Sequence, residues 1–121
     1  MIYNNNKNFD YIIEEEKDVD VEKQTIFKLK KLSARQMAIL QSSGNFSKED
    51  GALLNPITFA LEACKSGIAG WDNFKDGDGN LVKFNPRDLE SNMEKLPVSV
   101  ISEIGTKVFT VSMLGESEIK N

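Results

Sequence analysis

At Ser33 the spacing of apolar residues changes period, and that change restricts the chain to a mixed fold. Before it, in the run Gln24–Leu32 (QTIFKLKKL), Phe27 and Leu29 alternate with Lys28 and Lys30, as a half-buried strand requires. After it, Met37, Ile39 and Leu40 supply a helical stripe. Ser33 and Gln36 stand three apart, as the N-cap and N3 of a capping box do. Strand chemistry followed at once by helix chemistry points to an α+β domain, and 121 residues suffice for one core.

The same reading places the remaining elements. Tyr11-Ile12-Ile13 within DYIIEEE forms a short β-type cluster, so the N-terminal part reads as a pair of strands joined by the turn-like KDVDVEK. Residues 10–23 carry seven acids against two lysines, whereas residues 24–35 hold Lys28, Lys30, Lys31 and Arg35 with no acid. Opposite charges on facing strands favour pairing; the alternative is a basic strip for a partner. A flexible connector is expected over 43–52. Asn55-Pro56 opens a second helix that runs through Ile57, Leu61 and Cys64 to about Gly67, and Asn85-Pro86 repeats the cap for a short helix through Leu96. Pro97 opens the last helix, with Val100, Ile101, Ile104, Val108 and Val111 on one face and Gly115 as its stop. Phe109 and Met113 lie off that stripe, which means deeper burial or a surface for a partner. The expected organisation is a flexible arm at 1–9, a single α+β domain at 10–115 and a polar tail at 116–121. The domain holds an N-terminal strand pair, a central hairpin and three to four helices.

Chemistry is scarce. The chain has no histidine, which removes the commonest general base and zinc ligand. Its one cysteine, Cys64, allows no internal disulfide and sits at helical spacing, where it reads as a small buried hydrophobe rather than a nucleophile. Lys65 and Lys107 are amines with nothing around them to mark a pocket. The net charge of −4 argues against a nucleic-acid surface. No apolar run approaches membrane-spanning length and no signal peptide is visible, so a soluble, cytoplasmic protein is expected.

The stretch Gly70–Asn85 (GWDNFKDGDGNLVKFN) looks most like a reacting centre. It fails as a calcium loop, because a register from Asp76 puts Leu81 at the glycine position and Arg87 where a bidentate glutamate belongs. A β-hairpin accounts for it better. Asp76-Gly77-Asp78-Gly79 tolerates positive φ, and Trp71 and Phe74 on one arm face Val82 and Phe84 on the other. No catalytic residue, cofactor or metal ligand is assigned.

The order G-W-x-N-F-x-D-x-D-G-N-x-V-x-F, then a short acidic helix, then L-P-x-x-V-I-x-E-I and a terminal Lys-Asn, resembles small proteins of tailed-phage structural gene clusters. Upstream, EEEKDVDVEKQTIFKLKKLSARQ is similar to the front half of that group, so the resemblance runs over residues 10–121. The family is that of tail assembly chaperone-like and minor tail or head–tail proteins. It carries no catalytic residues, and the asparagine-rich arm departs from its pattern. The resemblance implies a non-enzymatic protein-binding factor in the host cell cytoplasm, one that covers apolar segments of a tape-measure-like protein during tail assembly. Such work needs an exposed apolar strip, expected at Phe109, Met113 and Leu114, with Trp71 as a second anchor. A virion structural component is the alternative, as is an acidic inhibitor of a host defence nuclease acting through residues 14–22. Neither nucleic acid nor membrane is expected as a direct partner, and oligomerisation is open.

Overall fold

The computed structural model describes residues 7–114, and its centre is a three-stranded antiparallel sheet. Strands β1 (Phe9–Tyr11), β2 (Ile26–Leu29) and β3 (Ile68–Asp72) lie in the order β1-β2-β3. Four helices follow the chain: α1 (Ala34–Gly44), α2 (Pro56–Gly67), α3 (Leu89–Glu94) and α4 (Val98–Leu114). The α+β class is therefore shown. The expectations for the arm over its first six residues, for Gly115 and for the tail lie outside the described residues.

Register explains why the sheet has one dry and one wet face. Tyr11 pairs with Phe27 and Phe27 with Trp71, while Phe9 pairs with Leu29 and Leu29 with Ile68. These residues share the face turned to the core, where Phe27, Leu29, Ile68 and Trp71 are buried. On the opposite face Lys28 reaches Asp10 at 2.7 Å and Asp72 at 3.9 Å, so one lysine ties all three strands together. The hydrogen bond from Lys28 to Asp10 raises the lysine pKa.

Helices α2 and α4 pack closely because small residues meet at their crossing. A Cβ added to Gly105 would stand 2.9 Å from Ala60 Cα, and one added to Gly67 would stand 2.5 Å from the Val108 side chain. The predicted stripe of α4 is buried throughout, with Ile104 and Val108 fully enclosed. Both halves of the capping box at α1 are made: Gln36 N–H donates to Ser33 Oγ at 3.1 Å, and Ser33 N–H to Gln36 Oε1 at 2.9 Å.

Four local expectations are corrected. The first strand lies further toward the N-terminus than Tyr11-Ile12-Ile13: β1 takes in Phe9 from the expected arm and ends at Tyr11, Glu14–Glu16 is a 3-10 turn, and the turn-like stretch after it holds a second one at Val21–Lys23. The 43–52 connector is a folded turn, closed by a Ser47 N–H bond to Ala52 O at 2.7 Å and a bridge between Phe46 and Leu53. The short helix starts at Leu89 rather than Pro86. Its cap is Asp88, which accepts from Ser91 N–H at 3.1 Å, because the buried Asn92 side chain occupies both backbone groups of Asn85. Finally, the Gly70–Phe74 arm is divided. Its first half is β3, paired with β2. Asn73, at φ 61°, turns the chain, and only Lys75 and Leu81 form a hairpin bridge.

Candidate functional site

Trp71 is a core residue and not an exposed anchor. It is 8% exposed and its indole N–H donates to Val82 O at 2.8 Å. Edge-to-face contacts surround it, with Phe84 at 5.0 Å, Phe74 at 5.3 Å and Phe27 at 6.1 Å between ring centroids. The Gly70–Phe84 segment thus spends its aromatic residues on packing the turn against the sheet. One acid of the turn is engaged likewise: Asp76 Oδ1 accepts from Asp78 N–H at 2.9 Å and Asn80 N–H at 3.0 Å, and Gly79 takes the positive φ.

The other expected binding residues lie on the last two turns of α4. Phe109 is half-buried, its ring 5.1 Å from Phe59, which in turn meets Phe46 at 5.9 Å. Met113 follows four residues later on the same helical face. It is 56% exposed and Leu114 51%. The helix places Val111 inward, so Met113, two positions on, points away from the core, and Leu114 is exposed at the end of the helix. The result is an apolar surface that rises from the Phe46–Phe59–Phe109 stack toward water.

Polar groups elsewhere are used to hold elements together. Glu103 on α4 accepts from the Tyr11 hydroxyl at 2.5 Å and from Glu14 N–H at 2.9 Å, which fixes β1 and the following turn on the helix. Lys107 Nζ stands 5.8 Å from the centre of the Tyr11 ring. Lys65 is ion-paired to Glu90 at 2.8 Å and Glu62 at 3.2 Å, and the bond to Glu90 raises its pKa, the reverse of what a nucleophilic amine needs. Cys64 donates to Ile101 O at 3.2 Å, and burial pushes its thiol up to about 12. A thiol in that state is no nucleophile at neutral pH.

Sequence reasoning did not find the clamp beneath the acidic loop. Three carbonyls, those of Glu16, Val19 and Lys17, converge on the Gln24 side-chain amide at 3.0, 3.3 and 3.4 Å. Asn73 Nδ2 donates to the carbonyls of Glu22 and Gln24 at 2.9 and 3.1 Å. Nothing in the local pattern marks either residue: the partners of Gln24 depend on how the irregular loop before it folds back, and those of Asn73 are about fifty positions away. Among the described residues no helix is long and apolar enough to cross a membrane. Comparison with protein-family models, curated proteins and solved structures finds no match to this chain.

Proposed function

We propose that this chain is a protein-binding factor of the tail assembly chaperone kind, working without a reacting centre of its own. One observation carries the reading: Met113 and Leu114 stand exposed together on the final turn of α4, continuous with half-buried Phe109. Two adjacent exposed apolar residues beside a half-buried aromatic form the start of an apolar strip that a partner can cover. The resemblance of residues 10–121 to tailed-phage proteins supplies the client class, an apolar segment of a tape-measure-like protein.

Co-production with a tape-measure protein of a tailed phage tests the reading. The wild-type chain keeps that client in the soluble fraction, and the Met113→Glu/Leu114→Glu variant loses this while melting as the wild type does. Equal retention of client by the variant would overturn the proposal. Mass spectrometry of purified particles separates the chaperone from the virion component, because a chaperone is absent from them.

A further inference from the structure

The loop from Glu14 to Gln24 is an acidic projection whose shape is fixed from within. The Gln24 amide, only 7% exposed, gathers three loop carbonyls, and Asn73 holds two more. Glu16 turns inward and accepts from Thr25 N–H at 2.7 Å. This clamp leaves Val19 41% and Val21 79% exposed, between the exposed acids Asp18, Asp20 and Glu22. Of those acids only Asp20 has a lysine in reach among the described residues, Lys23 at 3.9 Å. A loop held this firmly loses little conformational entropy when it docks.

The chain carries a surface of matching character. Leu32 N–H donates to Ser112 Oγ at 2.9 Å, which sets Lys31 and the first turn of α1, with Arg35, at the end of α4 that bears Met113 and Leu114. Lys31 and Arg35 are exposed, and no carboxylate among the described residues lies within 4 Å of either. The acidic loop sits at the opposite end of that helix, where Glu15 and Glu16 line a cleft with Pro97 and Val100. The 17 residues of α4 separate the two surfaces by about 25 Å, so they do not meet within one chain.

We infer that a second copy of this chain is the partner of this surface: the 18–22 loop of one copy docks on Lys31, Arg35, Met113 and Leu114 of the other. Charge decides the pairing, acid against base, and each side contributes two exposed aliphatic residues. Because the two patches differ, either two copies lie antiparallel and exchange both contacts in an isologous dimer, or the contact runs head to tail and closes in a ring. The inference shares Met113 and Leu114 with the proposed function, so self-association and client capture compete for one site.

Sedimentation velocity on the full chain, across concentration and salt, tests it without any client. The wild type is expected to associate with rising concentration and to dissociate as salt rises. Lys31→Glu/Arg35→Glu and Asp18→Lys/Glu22→Lys each sediment as monomers, with melting curves that show them folded. An equimolar mixture of the two re-forms the oligomer, since every loop again meets a patch of opposite sign. Val21→Asp is expected to lose self-association and keep client capture; association intact in this variant overturns the inference, whereas a wild type that associates but captures no client overturns the functional reading alone. A wild type that stays monomeric throughout, or a mixture that fails to associate, overturns the inference.

Discussion

The Tyr11 hydroxyl and the Glu103 carboxylate meet across 92 positions of sequence, and no periodicity could have announced them. The same holds for Gln24, Asn73 and Asn92, polar residues buried or half-buried because each amide answers backbone groups brought to it by folding. Ser33 and Gln36, three positions apart, were legible because the cap is a local device. Tyr11 yields a test. Burial first, and then the hydrogen bond to Glu103, raise its pKa above the ordinary 10.0. Above about pH 10 the unfolded chain releases this proton first, so the stabilisation held at lower pH is lost as pH climbs toward the folded value. Tyr11→Phe is expected to cost about 1 kcal/mol at pH 7. That gap should narrow between about pH 10 and 11. Urea unfolding of both proteins across that range checks it, and a constant gap would disprove the linkage.

Among elements, legibility followed the range of the forces involved. The stripe of α4 and the Asn55-Pro56 start of α2 declared themselves because helix periodicity and Pro at the first position act within a turn. Strand β3 did not: Ile68-Ala69-Gly70-Trp71-Asp72 has no clean alternation, and a bulge opposite Lys28/Leu29 breaks its register with β2. The crossing of α2 and α4 was hidden as well, since a glycine inside a helix reads as a weakness until its neighbour is known. Gly105→Ala sets two effects against each other. Alanine gains about 1 kcal/mol of helix propensity. Its methyl would stand 2.9 Å from Ala60 Cα and 3.0 Å from Ala60 O, both backbone atoms that move only if the helix moves. Overpacking of about 1–3 kcal/mol should win, for a net loss of about 1 kcal/mol. Chemical denaturation reads the sign, and a stabilised variant would show that the helices separate at little cost.

For the molecule as a whole, the mixed class and the single core were readable, while the distribution of surface was not. Charge counts along the sequence separated an acidic front from a basic stretch, and Asp10 and Lys28 do pair across the sheet as opposite charges on facing strands should; that the loop acids and Lys31 and Arg35 lie toward opposite ends of α4 was not readable. The core is shared more widely than its elements suggest: Phe59, on α2, touches Phe46 from the turn after α1 and Phe109 from α4. Phe59→Ala is expected to cost about 3–5 kcal/mol. Against a typical domain stability of about 5–15 kcal/mol, that is a large share. Helical and aromatic circular dichroism should therefore fall together, at a markedly lower melting temperature. A variant whose α1 turn loosens while the sheet stays intact would mean that the chain is two cooperative units.

The enclosure of Trp71 has a practical consequence. It is the only indole in the chain, walled by three phenylalanine rings and tethered to the carbonyl of Val82. Its fluorescence therefore belongs to one spot, where the strand hands over to the turn. A red shift in emission would register water arriving there, with no label attached and no other fluorophore of its kind to blur the signal.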